Sequence, residues 1–520
     1  MRYIDYLRNI SDAELYEGLL GYGLFNLKLP PFLTSVEFYN YCLTHTLPNF
    51  KSHDWIRFDN NRNNGLPRTL GIPNPFNYSA LCGCLRDNWQ SILTYFDTIT
   101  TSQDFKISRI HVRKLDGTKA IFEMNYEKYK EDGSPEPPDI IKSRYIVKTD
   151  ISQCFGSIYT HSIPWAILGK ALSKTMTTPT SHYSNMIDLL TRNTTFSETH
   201  GILIGPVSSN IISEIILCKV DEALHQKGFA FVRHIDDYKC YVSTVDEGEQ
   251  FLNLLRENLA FYDLSINEKK TEILSLSSYR DTDLKERIHQ LDYLLNYQPG
   301  LPVITYPQLR SYLDAITKLY LDLDNNASVY TFAYKLLNKY DLSMNASCYL
   351  INKAMNLAII HPYLLPFMAE HIFGKYGVTS NTKTFCETLY DEGIKNNNFE
   401  KCVYGMYFGI ICNVDFSSDA GLTIKDNAMK FDDCFLRLVS WLYCEKFYPT
   451  IYSSDFYQLA LTMNDTTTAE FNRNWIFAYE VLDRIDLKGN EWKAIKKANV
   501  SFIDKTKLMH HTHWRTVFYS

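Results

Sequence analysis

The chain has 520 residues, enough for two to four domains and for more than one hydrophobic core. Apolar residues make up 45% of it and charged residues 22%, which excludes disordered, collagen-like and coiled-coil proteins. The net charge of −6 excludes a polycation that coats nucleic acid by bulk attraction, so any contact with nucleic acid must come from local basic clusters.

Cysteine usage and the lack of long apolar runs indicate the compartment. The 12 cysteines include no C-x-x-C pair, and several lie within apolar runs, where a thiol behaves as a small hydrophobic side chain. We therefore expect reduced thiols in a cytoplasmic protein. The N-terminal stretch lacks the uninterrupted apolar core of a signal peptide, and no stretch approaches the ~18 consecutive apolar residues of a membrane helix, so no membrane partner is predicted.

Three regions differ in their sequence pattern. Residues 1–55 predict an N-terminal extension of short helices broken at Pro30-Pro31, and residues 56–280 alternate strand-like and helical runs around a flexible acidic loop at 129–139. Residues 281–520 have helical periodicity, clearest in an apolar face formed by Leu309, Tyr312, Leu313, Ile316, Leu319, Tyr320 and Leu323. No fixed-length repeat is evident, so a solenoid and a single compact helical domain both remain open. The predicted fold class is α+β followed by an all-α domain.

Acidic residues stand at the ends of strand-like runs in the middle region. Asp150 lies near the end of the run at residues 144–151, and Asp236 and Asp237 join two runs within residues 231–242, a pattern typical of a hairpin with carboxylates at its tip. If these segments are neighbours in one sheet, three carboxylates converge, and they repel one another unless a cation lies among them. Mg²⁺, with Mn²⁺ as the alternative, suits such oxygen ligands, and two such ions about 3.5–4 Å apart are the recurrent device for nucleotidyl transfer.

An Asp-Asp pair alone is a weak signal, because the helical region contains a second one, Asp432-Asp433, with no strand context. The order of further features strengthens it. A glycine turn at residues 201–205 precedes the hairpin and leads into a helix, and a turn with Lys270, able to approach a phosphate, follows the hairpin. Basic residues that alternate on one strand face are candidates for gripping a triphosphate or a nucleic-acid backbone, with solvated edge charges as the alternative: Lys142, Arg144 and Lys148.

Together these segments resemble the palm of a reverse transcriptase, with the motifs in the family's order. Asp150 and the residues up to Phe155 are similar to motif A, the glycine turn to motif B, His234–Asp237 to motif C, and Asn267–Thr271 to motif D. The strings TDISQCFGSIYTHSIPWA, GPVSSNIISEIIL and RHIDDY resemble, more narrowly, the bacterial abortive-infection reverse transcriptases that act in phage defence. The resemblance covers residues 56–280 and implies reverse-transcriptase fingers and palm there, followed by a HEAT-like helical C-terminal domain.

The resemblance also implies roles for the matched residues. Asp150 and Asp236 would bind the metal ions, with Asp237 as the companion carboxylate of the catalytic set. Phe155 would lie under the sugar and exclude a 2′-hydroxyl, which implies deoxynucleoside triphosphates (dNTPs) as substrates. The other candidates for nucleotide contact, which come from the strand face, the glycine turn and the lysine turn described above, are Gly205, Lys148, Arg144 and Lys270. The group's mechanism implies a single-stranded DNA product attached to a protein tyrosine, and assembly as a homo-oligomer.

Two departures from the family pattern bear on the mechanism. Leu203-Ile204-Gly205 stands where most retroelement enzymes have Pro-Gln-Gly, so an apolar side chain replaces a hydrogen-bonding one near the incoming base pair, which favours synthesis without a template. His234 replaces the usual tyrosine before the catalytic pair, where it can stack on a primer end or fill space. The sequence does not identify the priming hydroxyl, and the N-terminal candidates are Tyr3, Tyr6, Tyr16, Tyr22, Tyr39 and Tyr41.

The predicted function is a metal-dependent DNA polymerase, template-independent and protein-primed, in abortive-infection phage defence. The alternatives are a conventional RNA-templated reverse transcriptase of a retroelement, a non-catalytic phage-sensing scaffold and a palm-type nucleotide cyclase. One of two arginines in the fingers-like segment, Arg68 or Arg86, is expected to face the nucleotide. The basic tail at residues 488–515, with Trp492 and Phe502, is interpreted as a solvated helix face, with binding of single-stranded DNA product as the alternative.

Overall fold

The structure is a computed structural model that describes residues 2–25, 27–47, 51–109, 112–115, 117–122, 136–137, 140–279, 284–295, 303–417, 419–509 and 516–519. The acidic loop expected at residues 129–139 lies outside the described residues except for 136 and 137. Helices surround a four-stranded antiparallel sheet, and a separate β-hairpin precedes that sheet along the chain.

Short helices form the N-terminal extension: α1 (Tyr3–Arg8), α2 (Asp12–Tyr16) and α3 (Val36–Thr44). A capping box starts α2, because the Ser11 hydroxyl accepts from the Glu14 amide at 3.3 Å and the Glu14 carboxylate accepts from the Ser11 amide at 3.0 Å. The expected break at Pro30-Pro31 is present, since neither proline lies in a helix.

A β-hairpin and two helices follow: β1 (Ile56–Asn61), β2 (Pro67–Ile72), α4 (Pro75–Asp87) and α5 (Trp89–Thr100). The hairpin register places Ile56 opposite Ile72. Asn74 caps α4, with its side-chain oxygen accepting from the Phe76 amide at 3.0 Å, and Pro75 takes the first helical position, where no amide hydrogen is needed.

The helices of the middle region are α6 (Cys154–Ser157), α7 (Ser162–Leu168), α8 (Lys170–Ser173), α9 (Tyr183–Asn193), α10 (Ser208–Gln226) and α11 (Val245–Phe261). The glycine turn leads into α10, as predicted. The strands of the central sheet are β3 (Tyr145–Asp150), β4 (Ala230–His234), β5 (Asp237–Val242) and β6 (Glu272–Ser275).

The sheet order is β4-β5-β3-β6, so β5 and β3 are the central pair. Their register places Asp150 opposite Asp237. A Cβ added to Gly248 of α11 would lie 3.1 Å from Val147 Cγ2, so glycine lets this helix approach the sheet closely. Alternate residues of a strand share a face. The helix therefore covers the face that carries Val147, and Asp150 belongs to the opposite face.

The C-terminal region is predominantly helical: α12 (Leu284–His289), α13 (Tyr306–Asp322), α14 (Ser328–Leu337), α15 (Met344–Ile360), α16 (Leu365–Phe367), α17 (Gly374–Tyr376), α18 (Thr382–Asn396), α19 (Phe399–Cys412), α20 (Ala420–Lys430), α21 (Cys434–Phe447), α22 (Ser453–Thr462), α23 (Ala469–Arg473), α24 (Trp475–Val481) and α25 (Asn490–Lys497). Within it, β7 (Val303–Ile304) pairs in parallel with β8 (Asp341–Leu342), so the region is not wholly helical. Short π and 3₁₀ turns occur along the chain at Glu17–Gly21, Pro179–Ser181, Glu268–Lys270, Asp292–Leu295, Pro362–Leu364, Met368–Phe373 and Lys505–Leu508.

The apolar face predicted for α13 is present. Tyr320 and Leu323 are only partly buried, and the fully buried members of the face are Leu309, Tyr312, Leu313, Ile316 and Leu319. All 12 cysteines carry free thiols, and most are buried, as expected for core residues. None of the described helices combines the length and the apolar character needed to cross a bilayer.

One apolar core runs through all three predicted regions. The ends of the chain meet in it, because the Thr34 amide donates to the Phe502 carbonyl at 2.9 Å and the Asp504 amide donates to the Phe32 carbonyl at 2.7 Å. The hairpin β1–β2 contacts α19, since the Asn61 amide donates to the Glu400 carboxylate at 2.8 Å. The boundaries placed at residues 55 and 280 stay a prediction.

Candidate active site

The hairpin between β4 and β5 presents two of the acidic residues singled out in the sequence. Asp236 lies in the turn and Asp237 begins β5, directly opposite Asp150 at the end of β3. The Ile151 amide donates to the Asp236 carbonyl at 3.1 Å, which ties the turn to the end of β3. The structure therefore brings the three predicted carboxylates together on adjacent strands.

The turn itself is strained. His234 and Asp237 pair across a two-residue loop, and Ile235, the first loop residue, has a φ of +58°. A β-branched side chain is rarely found at positive φ, where two-residue hairpins usually place glycine. Such strain persists only where the surroundings determine it, and it is typical of functional sites.

The Asp150 side chain is buried, and its two carboxylate oxygens have different surroundings. Oδ2 pairs with the ammonium group of Lys270, which lies on the 3₁₀ turn before β6. Oδ1 is buried and has no hydrogen-bond partner among the residues that the structure describes. A buried polar atom without a partner costs about 1–3 kcal/mol, so this oxygen is suited to a ligand that the chain itself does not supply.

The electrostatics of the site favour a cation. Burial raises the pKa of Asp236, and the charge of Asp150 adds to this effect. Burial and the charges of Asp236 and Asp150 raise the pKa of Asp237 to about 6. The positive charge of Lys270 acts in the opposite direction and lowers the pKa of both Asp236 and Asp237. A divalent cation among the carboxylates would relieve their repulsion.

The donor set fits a metal that is bound together with a substrate. Among the described residues, no group of three or more His, Cys, Asp or Glu side chains is placed to hold a metal ion by itself. Mg²⁺ is usually held by one or two carboxylates, substrate phosphates and waters rather than by an all-protein cage. The unpartnered oxygen of Asp150 beside Asp236 and Asp237 fits that mode of binding.

Two arginines of the hairpin β1–β2 act on the carboxylates. The pKa of Arg62 is lowered by burial and by the charge of Arg68, while Asp236 opposes this effect. Arg68 in turn lowers the pKa of Asp236. Arg86, the other candidate, forms an ion pair with Asp87 at 2.7 Å and lies over the Tyr16 ring, so Arg68 is the one that faces the site.

The glycine turn at residues 201–205 packs against the hairpin β1–β2. Gly205 has a φ of +135°, and a Cβ added there would lie 3.2 Å from the Gly71 carbonyl oxygen. The Gly71 amide donates to the Ile204 carbonyl at 2.8 Å. Glycine is therefore required at position 205 both by the backbone conformation and by the close approach of β2. Phe155 is half-buried, and its carbonyl accepts from the Ile202 amide at 2.8 Å, so the segments after β3 and before α10 are adjacent.

The other basic candidates differ in position. Lys148 pairs with Glu272 of β6 at 3.1 Å, two residues along β3 from Asp150. Arg144 is exposed and precedes Asp150 by six residues, about 20 Å at ~3.3 Å per strand residue. The structure therefore does not bring Arg144 to the carboxylates, because sharing a strand face does not imply proximity. Lys142 lies farther still.

The remaining candidates divide by burial. Tyr3, Tyr16 and Tyr39 are buried, Tyr6 and Tyr41 are half-buried, and Tyr22 is 37% exposed. His234 is half-buried at the end of β4. In the basic tail, both Trp492 and Phe502 are buried, which leaves neither ring free for stacking on DNA and favours the helix interpretation; Arg515 lies outside the described residues.

The second Asp-Asp pair has a structural role. Asp433 caps α21, with its carboxylate accepting from the Leu436 amide at 2.7 Å, and Asp432 pairs with Arg437 at 2.6 Å. The site residues missed by the sequence are Arg62, whose place depends on the hairpin register, and Arg233, which contacts the turn from within the core. The sequence feature that could have indicated Arg233 is its position as a single arginine shortly before Asp236 and Asp237.

Comparison with known proteins agrees with this geometry in one respect. Residues 104–297 match the reverse transcriptase (RNA-dependent DNA polymerase) family, and this segment contains all three carboxylates. No curated protein matches the chain. Among solved structures, it is similar to apo telomerase from Candida Tropicalis, at 11% identity and a TM-score of 0.30 over 74% of this chain and 68% of that one. It is also similar to telomerase from Candida Tropicalis with a TWJ fragment of telomeric RNA, at 12% identity and a TM-score of 0.30 over 71% and 66%.

The family match is the finding that identifies the chemistry. It leaves out the hairpin β1–β2 and most of the C-terminal helices, so it covers a central part of the chain. Residues 104–297 match a reverse transcriptase domain, and the protein is accordingly an enzyme, a nucleotidyltransferase.

Proposed function

We propose that the protein is a metal-dependent DNA polymerase in which Asp150 and Asp236 bind divalent ions and Asp237 is the companion carboxylate. The observation that carries this proposal is the buried Oδ1 of Asp150, which has no hydrogen-bond partner in the described part of the chain and belongs to a residue paired with Asp237 inside the matched segment. When bound, the ions stabilise the negative charge that develops at the α-phosphate as pyrophosphate leaves. Mg²⁺ is the expected ion and Mn²⁺ the alternative.

The remaining roles belong to the chain's own side chains. Lys270 holds the Asp150 carboxylate in place through Oδ2. Arg62 and Arg68 supply positive charge from the hairpin β1–β2, where they bind the triphosphate of the dNTP. Phe155 lies under the sugar and selects deoxynucleotides, as in the enzymes that its motif resembles.

We further propose that synthesis needs no template and begins on a tyrosine of the protein. Support comes from Ile204, whose side chain offers no hydrogen bond to a base pair and whose carbonyl is occupied by Gly71. Tyr22 is the best placed of the six N-terminal candidates for priming because it is the most exposed. The abortive-infection role, the homo-oligomer, the covalent single-stranded DNA product, the cytoplasmic location and a HEAT-like character of the C-terminal helices rest on the sequence resemblance alone.

The test is incorporation of labelled dNTPs by the purified protein with Mg²⁺ or Mn²⁺, with and without an RNA template. We expect incorporation that Asp236→Asn reduces by about 10³-fold or more, since a metal ligand acts on the chemical step. Lys339→Gln, an exposed change in the C-terminal region, is the matched control and should retain activity. Absence of incorporation under every condition would overturn the proposal, and undiminished activity of Asp236→Asn would overturn the site.

A templated reverse transcriptase is the second candidate, favoured by the family description of the matched segment as RNA-dependent. The same assay separates the two. A product whose sequence follows the supplied RNA supports the templated enzyme, whereas a product of unrelated sequence, found by mass spectrometry on a tyrosine of the protein, supports protein priming. A scaffold without catalysis would keep phage protection in an Asp150→Ala/Asp236→Ala variant.

A further inference from the structure

Arg233 is an arginine with no exposed surface, and it lies directly behind the acidic hairpin. It occupies the last but one position of β4, three residues before Asp236. Its guanidinium pairs with Glu214 at 2.6 Å and with Asp221 at 2.7 Å. Both partners are buried on α10, and their separation of seven residues, about two helical turns, places them on the same side of the helix.

A further donor of this guanidinium reaches the strained turn. Nη1 donates to the Ile235 carbonyl at 2.7 Å. That carbonyl belongs to the peptide that joins Ile235 to Asp236, and Ile235 is the residue with the positive φ. Arg233 therefore fixes the plane of the peptide from which the Asp236 carboxylate projects.

The surroundings hold the guanidinium from several elements. The Glu214 carboxylate also accepts from the Tyr3 hydroxyl at 3.0 Å and from the Ser108 hydroxyl at 2.7 Å. The Tyr238 hydroxyl donates to Asp221 at 3.2 Å. Helix α1, the segment before β3, helix α10 and strand β5 thus converge on one charged group.

Stability alone does not explain this network. Buried ion pairs are often no more stabilising than apolar side chains of similar volume, because desolvation offsets their attraction. Burial by itself would lower the pKa of Arg233, yet Asp221 and Glu214 raise it well above its ordinary value, so the guanidinium stays charged. An apolar replacement would fill the space but could not donate to the Ile235 carbonyl.

We infer that Arg233 is a positioning residue, which holds the Ile235–Asp236 peptide so that the Asp236 carboxylate faces Asp150, while Glu214 and Asp221 aim its guanidinium. The inference rests on the proposed metal-dependent function for its effect on catalysis. Its structural part, restraint of the turn, stands without that function.

The experiment compares two variants whose stability and activity are expected to diverge. Arg233→Met with Glu214→Gln and Asp221→Asn removes all three charges together, so that none is left buried without a partner. Arg233→Lys keeps one donor for the carbonyl but cannot reproduce the planar fork. Arg233→Met alone leaves two carboxylates uncompensated and is expected to fold poorly, which is why the triple variant is used.

We expect the triple variant to melt within about 5 °C of the wild type but to lose about tenfold or more in kcat, with the KM for dNTP within about twofold. It should also need more metal for half-maximal activity. Arg233→Lys should melt at a lower temperature than the triple variant and yet retain more kcat. If kcat follows the melting temperature across these variants, Arg233 is only a structural residue and the inference is wrong.

Hydrogen–deuterium exchange of residues 230–242 gives a readout that does not depend on activity. We expect faster exchange at the turn in the triple variant, confined to this hairpin, even if the wild type incorporates no dNTP. Unchanged exchange would overturn the inference whatever the outcome for the proposed function. An inactive wild type with faster exchange in the triple variant would overturn the proposed function and keep the positioning role.

Discussion

Asp237 illustrates how single residues set the pH dependence of the site. Its pKa of about 6 results from burial and from the charges of Asp236 and Asp150, and ionised carboxylates bind divalent cations. We expect the rate of dNTP incorporation to fall as the pH drops below about 6. Because protons and the cation compete for the same oxygens, a higher metal concentration should move the half-maximal pH downward. Rates measured from about pH 5 to pH 8 at two metal concentrations check this.

The metal-free protein should show the opposite dependence in its stability. A carboxyl whose pKa is raised above its ordinary 3.8 binds its proton more tightly in the folded state, so its contribution is present at low pH and is lost as the pH rises through about 6. Mg²⁺ should therefore raise the Tm more at pH 8 than at pH 5, and Asp236→Asn should diminish that difference. If the decrease in the incorporation rate at low pH does not depend on the metal concentration, the group that titrates is not Asp237.

At this scale the sequence predicted the carboxylates better than the cations. Asp150, Asp236 and Asp237 were recognisable because aspartates at strand ends meet when the strands are neighbours. Arg62 was not, because its approach to the site depends on how the hairpin β1–β2 is oriented by distant helices. Arg144 was misplaced because a shared strand face specifies direction and not distance.

The contact between helix α19 and the hairpin β1–β2 is the clearest case of one element determining the position of another. The Glu400 carboxylate is buried and accepts hydrogen bonds from the Asn61 amide, the Asn61 side chain and the Asn60 side chain. Burial outweighs these bonds and raises the pKa of Glu400 to about 7. The hairpin that carries Arg62 and Arg68 is thus anchored on a group that titrates near neutrality.

This anchor predicts a pH-dependent stability. The folded state keeps the Glu400 proton up to about pH 7, whereas the unfolded chain releases it near 4.5, so stability is lost as the pH rises between these values. At 1.36 kcal/mol per pKa unit the loss is roughly 3 kcal/mol. Glu400→Gln, which has no proton to release, should show a correspondingly smaller decrease in the free energy of unfolding between pH 5 and pH 8, measured with urea. Equal decreases in both proteins would contradict the assignment.

The elements themselves were predictable in proportion to their length. The apolar face of α13 was visible because a helix of 17 residues repeats its period several times. The parallel pair β7–β8 was not, because two-residue strands show no alternation. The break at Pro30-Pro31 followed from the geometry of proline itself.

The whole molecule shares a core that joins the N-terminal extension to the C-terminal helices. Phe502 is fully buried, with its ring centroid 5.5 Å from that of Phe38 near the start of the chain and 4.7 Å from that of Trp475. Phe25 also contacts it at 6.4 Å. The domain boundaries predicted from the sequence could not reveal this shared core. The sequence pattern indicates local periodicity and does not show which distant surfaces pack together.

Phe502→Ala is therefore expected to destabilise the whole protein. Removing a buried phenylalanine costs about 3–5 kcal/mol, and here the loss affects contacts between the N-terminal extension and the C-terminal helices. Phe518→Ala is the matched control, since Phe518 is 58% exposed and its loss should change the free energy of unfolding by about 0.5 kcal/mol or less. Urea unfolding of both variants measures the difference. Equal effects would show that the ends of the chain do not stabilise one another.

The backbone pairing of residues 32–34 with residues 502–504 has a consequence for biosynthesis. Residues 32–34 are translated about 470 residues before residues 502–504, so the earlier segment must wait for the later one before the two can pair. A nascent chain on the ribosome exposes Phe32 and Phe38 to chaperones and proteases until then. Translation through residue 504 is thus a precondition for closing this part of the core, and a stop codon before it leaves Phe32 and Phe38 without their partners.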